Sequence, residues 1–376
     1  MSRILIIVTK GEIGGAQTVV ATLARGLKET GFDVVVGYGA GTGSFLEEEL
    51  KKSLIPVVSF KNLARSHNPF SFIAFIAELR TFLKKNRFDI VHFNSTNALF
   101  GAIAAKLVRP APKTVFTFHG LSFLDPSHTG NIFAKIAYWL AFKFLLLFID
   151  TPVCVSNPDM RYLQEINIIK KGAVVRNGAT PHFLPKSDAI AAIERMTGTF
   201  PANAVLVGSI GRLAYPKNYE FFILAAKNLH AQFPALRFVI IGDGPERVMY
   251  EQLITASSLT NIFFLAGEIP HAETYLHALD IFTLTSLYEG APMTLIEALH
   301  AGIPAVSPRI DSISDIMRND TTQLYDSHNM QQYEEKLSAL IADAALREKK
   351  GIENKHRSDK FSTAAMVEGY QKAYEN

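Results

Sequence analysis

Apolar and polar positions in the first half of the chain alternate between strand-like and helix-like patterns. Ile4–Thr9 is a continuous apolar run, typical of a strand covered on both faces. Further strands are predicted at Asp33–Tyr38, Asp89–Phe93, Thr114–Phe118, Pro152–Val155 and Ala173–Val175. Apolar residues spaced three and four apart predict helices at Ala16–Thr30, Phe70–Asn86 and Ala98–Val108. Because strands alternate with helices, we expect a first domain with a parallel sheet over residues 1–185.

The pattern restarts after a less regular stretch, residues 181–204, which contains three prolines. Strands are predicted at Ala204–Gly211, Arg237–Ile241, Ile262–Leu265 and Asp280–Thr285, and helices at Tyr219–Ala231, Gln331–Ala344 and Phe361–Tyr374. A chain of 376 residues also exceeds the usual size of one core. We therefore predict an α/β protein with two Rossmann-like domains facing a cleft, the second beginning at residue 186.

Composition limits the kinds of chemistry that the chain can perform. A hydrophobic content of 48% with 19% charged residues is typical of a globular protein. The single cysteine, Cys154, excludes intramolecular disulfides and favours a reducing compartment such as the cytoplasm. Asp-x-Asp, His-x-x-x-His and Cys-x-x-Cys patterns are missing from the sequence, so we expect no metal and no metal-dependent hydrolysis.

Charge is unevenly distributed between the two halves. Residues 1–185 contain 21 Lys and Arg against 12 Asp and Glu, a balance of +9 within a total of +3. This excess indicates either a solvated basic face or a surface for an anionic partner such as lipid. The most apolar stretch, Ile132–Ile149, is interrupted by Lys135 and Lys143, which favours a buried or interfacial helix over a spanning one.

A candidate anion site lies where the strand Asp280–Thr285 gives way to a helix. The backbone amides of Gly290, Ala291 and Met293 lie at the start of that helix, and Pro292 suits its first turn. Two acidic residues accompany them. Glu289 precedes the turn, and Glu297 lies on an apolar helical face, where a carboxylate needs a partner such as a pair of ligand hydroxyls. The alternative is a solvated loop glutamate and a helix glutamate paired with Lys or Arg.

Weaker candidates follow other strands. Gly14-Gly15 opens a helix after the first strand, and Gly211-Arg212 with Lys217 offers two cations for a diphosphate, although a tight turn and ordinary surface cations are equally simple readings. Gly242-Asp243-Gly244-Pro245 predicts a turn. His119, followed by Gly120, ends a strand and is either structural or part of a site.

Together these motifs resemble those of retaining, nucleotide-sugar-dependent glycosyltransferases with the GT-B fold, glycosyltransferase family 4. The most specific match is Glu289-Gly-x-Pro-x-x-x-x-Glu297 followed by Ala-x-x-x-Gly302-x-Pro304. Supporting matches are His119-Gly120, Ser156-Asn157, Asn177-Gly178, Gly211-Arg212 with Lys217, and Gly242–Pro245. The resemblance implies that residues 186–358 bind the nucleotide sugar and that a final helix, 359–376, returns to the first domain.

The resemblance also implies roles for individual residues. Catalytic roles fall on His119, Glu289, Arg212 and Lys217, and acceptor-side roles on Gly120, Asp125 and Asn177. Donor binding is implied for Gly14, Gly15, Gly211, Arg212, Lys217, Gly242, Gly267, Ile269, Glu289, Gly290, Ala291, Pro292, Met293, Thr294, Leu295 and Glu297. One departure concerns Asp311–Asp315, which stands where the family usually carries Gly-Gly-x-x-Glu.

The expected activity is transfer of a hexose or N-acetylhexosamine to a glycan or lipid-linked oligosaccharide, in assembly of cell-surface polysaccharide, lipopolysaccharide or glycoprotein glycans. UDP-sugar is the favoured donor and GDP-mannose the second, with no cofactor and no nucleic-acid partner. The expected location is the cytoplasm, in solution or on the cytoplasmic face of the membrane. Two alternatives stay open: an inactive nucleotide- or lipid-binding subunit of a glycan assembly complex, and a sugar-nucleotide epimerase.

Overall fold

The chain forms two compact units. The computed structural model describes residues 2–65, 68–121 and 132–375, with backbone alone for 132–138. Unit 1 comprises Met1–Gly178 together with Thr363–Asn376, and unit 2 comprises Ala179–Ser362. The contacts place the unit borders at Gly178 and Ser362, whereas the sequence pattern predicted the first border at residue 185 and the family resemblance implied the second at residue 358.

Unit 1 is built on a parallel sheet of seven strands in its described part. The strands are β1 (Arg3–Ile7), β2 (Asp33–Gly39), β3 (Val57–Phe60), β4 (Ile90–Phe93), β5 (Lys113–Phe118), β6 (Thr151–Cys154) and β7 (Ala173–Val174). The helices are α1 (Gly15–Glu29), α2 (Phe45–Lys51), α3 (Pro69–Lys85), α4 (Gly101–Lys106), α5 (Ile132–Leu146) and α6 (Asn157–Glu165). The strand order is β3-β2-β1-β4-β5-β6-β7.

Helices α3, α4 and α5 cover one face of this sheet. The Phe142 ring of α5 packs edge-on against Phe116 and Phe118 of β5, with ring centroids 6.0 and 5.8 Å apart. Phe116 is the strand-register partner of Phe93 in β4, so both rings belong to the same face. A Cβ on Gly101 of α4 would meet Phe93 and the side chains of α3, which places these helices in the same layer.

The last helix of the chain packs on the opposite face of the unit 1 sheet. His92 of β4 lies 2.9 Å from the hydroxyl of Tyr374 and 2.7 Å from that of Thr117, and Tyr370 lies 3.1 Å from Thr117. All four side chains are buried, so each polar atom finds a partner away from water. The predicted return of the C-terminal helix to the first domain is thus confirmed.

Unit 2 is a second parallel sheet, with six strands in the order β10-β9-β8-β11-β12-β13. Its strands are β8 (Leu206–Ile210), β9 (Arg237–Ile241), β10 (Phe263–Gly267), β11 (Ile281–Thr283), β12 (Ala305–Pro308) and β13 (Leu324–Tyr325). The helices are α7 (Lys186–Thr197), α8 (Tyr219–Gln232), α9 (Arg247–Ala256), α10 (Met293–Ala301), α11 (Asp311–Ile316), α12 (Met330–Ala342) and α13 (Ala344–Ser358), and α14 (Thr363–Glu375) follows in unit 1. Two parallel-sheet domains confirm the predicted fold class.

Several local expectations need correction. The stretch 181–204, expected to be less regular, contains α7, and the segment Asp311–Asp315, for which no helix was predicted, belongs to α11. The strand expected over Asp280–Thr285 is only Ile281–Thr283, and Pro292 caps α10 instead of lying in its first turn. In the described part of the chain, none of the helices combines the length and the apolar character needed to span a bilayer.

Both sheets reverse their winding direction at one point. In unit 1 the reversal lies between β1 and β4, and in unit 2 between β8 and β11. At such a point the connections leave toward opposite faces, which opens a crevice at the carboxyl ends of the two strands. These two places are therefore where ligand-binding residues are expected.

Candidate functional site

The reversal point of unit 2 brings together two charged residues that the sequence singled out. The Nζ atom of Lys217, in the loop after β8, lies 2.6 Å from Oε1 of Glu289, in the loop after β11. The Ser286 hydroxyl donates to the same Oε1 at 2.7 Å. The hydroxyl of Thr285 donates to the Lys217 carbonyl at 2.9 Å, so backbone and side chain both join the two loops.

The surroundings keep Lys217 charged. Burial lowers the pKa of Lys217, but the negative charge of Glu289 raises it, with smaller contributions from Tyr219 and from the hydrogen bond to Glu289. Together these outweigh the effect of burial, so the net shift of the pKa is upward. The side chains are 20% and 13% exposed, respectively, so solvent screens this pair only partly. An ammonium group held there can donate its remaining protons to an anionic ligand.

Two glycines allow the loops after β8 and β9 to approach each other and the lysine. A Cβ on Gly211 would lie 2.7 Å from the Tyr219 hydroxyl and 3.3 Å from Cε of Lys217. A Cβ on Gly242, whose φ is +153°, would lie 1.9 Å from the carbonyl oxygen of Gly211. The structure therefore gives both glycines a packing role at this crevice.

Glu297 is buried in α10, and no hydrogen bond or ion pair joins its carboxyl group to another described residue. Burial, with a smaller contribution from the charge of Glu273, raises its pKa to about 8. The carboxyl group is thus protonated at neutral pH in the absence of a ligand. The cost of burying a charge, which led us to expect a partner, is avoided here by protonation.

The start of α10 supplies further polar groups. Met293 and Thr294 are its first two residues, and N–H groups in a first helical turn have no carbonyl partner within the helix. The Thr294 hydroxyl is buried without a hydrogen-bond partner among the described residues. Gly290 and Leu295 are buried, and Ala291 is partly exposed next to Pro292, the capping residue. These groups suit an anion or a hydroxyl-rich ligand.

The segment Asp311–Asp315, which departs from the expected glycine-rich pattern, still contacts this crevice. The Ser312 hydroxyl, in the first turn of α11, donates to the backbone carbonyl of Glu289 at 2.7 Å. The serine thus holds the loop that carries Glu289 by a side-chain hydrogen bond.

Three other sequence candidates of unit 2 form no hydrogen bond or ion pair with Lys217 or Glu289 in the part of the chain that the structure describes. Arg212 is exposed, and no hydrogen bond joins its guanidinium group to a described residue. Gly267, with φ of +85°, ends β10 and accepts a hydrogen bond from the amide of Gly242 at 2.8 Å. Ile269 follows it and is partly exposed. Their predicted donor contacts stay predictions.

Next to the reversal point of unit 1, an asparagine that follows β4 holds a histidine that follows the neighbouring strand β5. The Nε2 atom of His119, after β5, lies 2.9 Å from Oδ1 of Asn94, after β4. With that oxygen as acceptor, Nε2 carries the proton and Nδ1 keeps its lone pair. Burial lowers the pKa of His119 to about 4, so the ring is neutral at pH 7. Nδ1 is buried without a partner among the described residues and can accept a hydrogen bond.

A cavity of about 200 Å³ lies at this same reversal point. It is lined by Val8, Thr9, Lys10, Ala16, Gln17, Arg65, Asn94, Ser95, Thr96 and Asn97. Gly15 starts α1 beside it, and a Cβ added there would meet nothing within 4 Å. Sequence reasoning identified Gly14 and Gly15 but missed the polar run 94–97, although this run directly follows a predicted strand.

Of the three acceptor-side candidates, two lie in the part of the chain that the structure describes. Gly120 follows His119, and Asn177 is buried near the end of the first part of unit 1. Asp125 lies outside the described residues. In the ranges that the structure describes, no group of three or more His, Cys, Asp or Glu is placed to hold a metal ion.

The sequence matches two family models that together span most of the chain. The model "Glycosyltransferase Family 4" matches residues 13–183, and the model "Glycosyl transferases group 1" matches residues 193–357. An α-1,3-galactosyltransferase of Escherichia coli, named for UDP-Gal and GlcNAc-diphosphoundecaprenol, is 28% identical over 73% of this chain and 70% of its own. The E. coli O-antigen biosynthesis glycosyltransferase WbnH is 27% identical over 100% of this chain and 99% of its own.

Solved structures support the same fold. Anabaena HepE, crystallised with UDP and glucose, superposes with a TM-score of 0.83 at 20% identity, covering 100% of both chains. At this identity the likeness concerns the fold alone. The family matches and the two parallel-sheet units agree with the motifs around Glu289 and Glu297. The chain is therefore a glycosyltransferase with the GT-B fold and belongs to glycosyltransferase family 4.

Proposed function

We propose that the protein transfers a hexose or N-acetylhexosamine, with retention of anomeric configuration and without a metal, from a nucleotide-diphosphate sugar to a glycan or lipid-linked oligosaccharide. The observation that carries this proposal is the Lys217–Glu289 ion pair at the reversal point of unit 2. Glu289 lies on the loop that leads into α10, the helix that contains the buried Glu297. The pathway would be assembly of a surface polysaccharide or lipopolysaccharide, since the similar WbnH is named for O-antigen biosynthesis.

The donor's charges fit the residues of unit 2. Lys217 and Arg212 would bind the diphosphate, where a cation offsets the charge that develops on the departing nucleotide. Glu297 would accept hydrogen bonds from the ribose hydroxyls. A UDP-sugar is the favoured donor, because the similar galactosyltransferase is named for UDP-Gal and HepE was solved with UDP. GDP-mannose is the second candidate.

Retention follows in this proposal from attack on the same face as the leaving group. The acceptor oxygen forms the new bond to the anomeric carbon as the bond to the diphosphate breaks. Its proton passes to a phosphate oxygen, so no protein nucleophile is needed. Glu289, held by Lys217 and Ser286, would orient sugar hydroxyls, and neutral His119 would accept a hydrogen bond at Nδ1.

The acceptor would occupy the cavity of unit 1. Its hydroxyl and amide groups, from Thr9 and residues 94–97, suit a ligand rich in hydroxyls. Arg65 adds positive charge, whereas the charge of Lys10 is compensated by Glu12. The alternatives from the sequence analysis differ in outcome. An epimerase would convert the donor without an acceptor, and an inactive subunit would bind nucleotide without turnover.

The test incubates purified protein with labelled UDP-sugars or GDP-mannose and a lipid-diphosphate-linked or free oligosaccharide, with and without EDTA. We expect a glycoside product whose anomeric coupling constant matches that of the donor, at an EDTA-insensitive rate. An inverted product, an epimerised donor, or bound nucleotide with no product from any pair would contradict the proposal.

A further inference from the structure

The outward surface of one helix layer in unit 1 is rich in exposed apolar side chains. Of the fifteen large hydrophobic residues that are exposed in the described part of the chain, six lie on α3, on α5, next to α5, or at the end of α4. They are Phe70, Ile73, Leu107, Leu140, Phe144 and Leu147. A continuous apolar stripe within such a layer marks an interaction site more often than scattered single residues do.

Three of these residues form a continuous stripe, which we call the α5 ridge. Leu140, Phe144 and Leu147 are spaced four and three residues apart, the spacing of one helical face. They are 55%, 54% and 76% exposed, although the opposite face, at Phe142 and Leu145, is buried against the sheet. Because the helix is apolar on both faces, packing in unit 1 accounts for only one of them.

Positive charge accompanies the α5 ridge. Helices α3, α4 and α5 contain six Lys and Arg residues against a single acidic one, Glu78. Glu78 is already bonded to the backbone amides of Lys61 and Asn62, at 2.8 and 2.9 Å. The cations Lys84 and Lys85 are exposed, and Lys143 lies on α5 next to Phe144 of the ridge, with its Nζ atom 4.9 Å from the centroid of the Trp139 ring.

These cations and the ridge lie toward the same edge of the layer. Helices that connect parallel strands run antiparallel to them, so the C-terminal ends of α3, α4 and α5 share the edge where the strands begin. Lys84 and Lys85 end α3, exposed Arg109 follows α4, and Leu147 follows α5. The layer therefore presents an apolar stripe beside a row of positive charges.

We propose that this surface docks on an anionic phospholipid bilayer. The α5 ridge would enter the boundary between headgroups and acyl chains, and the cations would contact lipid phosphates. A second copy of the chain fits less well, because a two-fold contact through this face would oppose one cationic surface with another. The inference rests on the proposed function in one respect: a lipid-linked acceptor requires the enzyme to reach a membrane.

Vesicle sedimentation tests the proposal with the full chain and without donor or acceptor. The probes are phosphatidylcholine vesicles with and without phosphatidylglycerol, at low and high salt. The ridge variant is Leu140→Gln/Phe144→Gln/Leu147→Gln, and its control is Val248→Gln/Met249→Gln on α9, also exposed. The charge variant is Lys84→Gln/Lys85→Gln, with the exposed pair Lys227→Gln/Lys349→Gln as control. Thermal melting checks that each variant is folded.

We expect the wild type to bind anionic vesicles and to bind less as salt rises. The ridge variant should bind at least about tenfold more weakly, since three apolar contacts are lost. The charge variant should lose its preference for anionic lipid, and both controls should match the wild type. Wild-type protein that stays in the supernatant would overturn the proposal, as would a folded ridge variant that binds the vesicles as fully as the wild type. These results leave sugar transfer to a soluble acceptor, and so the proposed function, unaffected.

Discussion

The ammonium nitrogen of Lys217 lies 2.6 Å from Oε1 of Glu289, and this contact joins two loops that leave the unit 2 sheet in opposite winding directions. Each residue compensates the other's charge before a ligand arrives. When a diphosphate accepts hydrogen bonds from Lys217, Glu289 keeps its hydrogen bond to Ser286 and so keeps its position. The pair thus prepares both a cation for phosphate and a carboxylate for sugar hydroxyls.

Replacing Lys217 with alanine should lower both activity and stability. We expect kcat/KM to fall by about 10²–10³-fold, since a cation that stabilises the leaving group is lost. Apo stability should fall by about 1–3 kcal/mol, because Glu289 keeps a partly buried charge without its partner. Steady-state kinetics and urea unfolding measure the two effects. The exposed Lys227→Ala is the control, and equal kinetics in the two variants would contradict the assignment.

Donor binding should release a proton from Glu297. Its pKa of about 8 means that the free protein holds the proton at pH 6, whereas ribose hydroxyls bond best to the ionised form. The affinity for a UDP-sugar, whose esterified phosphates do not titrate in this range, should therefore rise by up to about tenfold per pH unit between pH 6 and 8. Calorimetric titrations in buffers of different ionisation enthalpy measure the released proton. Glu297→Gln should bind more weakly and show no pH dependence, and a flat wild-type profile would argue against ribose binding here.

The same carboxyl group should make apo stability depend on pH. The folded-state pKa of about 8 exceeds the unfolded value of 4.5, so the folded protein holds a proton that the unfolded chain releases. Stability should fall as pH rises from about 5 to 8, by up to about 1.4 kcal/mol per unit. Denaturant unfolding at several pH values measures this slope. In Glu297→Gln the contribution should vanish, and identical slopes in both proteins would refute the burial argument.

Exchanging Asn94 for aspartate should change the ionisation of His119. A carboxylate 2.9 Å from Nε2 would favour the imidazolium and raise the pKa of His119 from about 4 by about 1–3 units. The acid limb of the pH profile for kcat/KM should move upward accordingly, and NMR titration of the ring should follow it. Asn97→Asp adds the same charge to the cavity lining without this contact. Equal profiles for the two variants would exclude a positioning role for Asn94.

Two serines of α11 form a matched pair for testing the loop that carries Glu289. Ser312 donates to the Glu289 carbonyl at 2.7 Å, whereas the Ser314 hydroxyl is buried without a hydrogen-bond partner among described residues. We expect Ser312→Ala to lower kcat/KM by about tenfold, the equivalent of one hydrogen bond. Ser314→Ala should leave the kinetics unchanged. Similar losses in both variants would mean that α11 acts through general packing.

The sequence predicted the strand–helix order well where one residue pattern dominates. The runs around Ile4 and Phe238 are buried on both faces and read clearly as strands. Among the elements that were not predicted, α7 is flanked by Pro185 and Pro201, and α11 is short and polar at Asp311–Asp315, so the sequence shows no clear helical periodicity for either. The C-terminal return of α14 depends on Tyr370 and Tyr374 reaching His92, a contact across the chain that no local pattern encodes.

The candidate site was predictable only in part, for a physical reason. Residue types at strand ends identified Lys217, Glu289 and His119, because loops at the carboxyl edge of a parallel sheet gather ligands. Which side chains form hydrogen bonds with each other depends on the conformation of the folded loops, which the sequence pattern does not give. The bond of Ser312 to Glu289 and the bond of Asn94 to His119 join residues that are distant in sequence, so both were missed.

The central claim is that unit 2 binds a nucleotide-diphosphate sugar through Lys217 and Glu297. Calorimetric titration of UDP, GDP and their sugars into wild type, Lys217→Ala and Glu297→Gln tests it most directly. We predict measurable wild-type affinity for a UDP-sugar, and at least about tenfold weaker binding in each variant. Wild-type protein that binds none of these nucleotides, or variants that bind as tightly as wild type, would contradict the account.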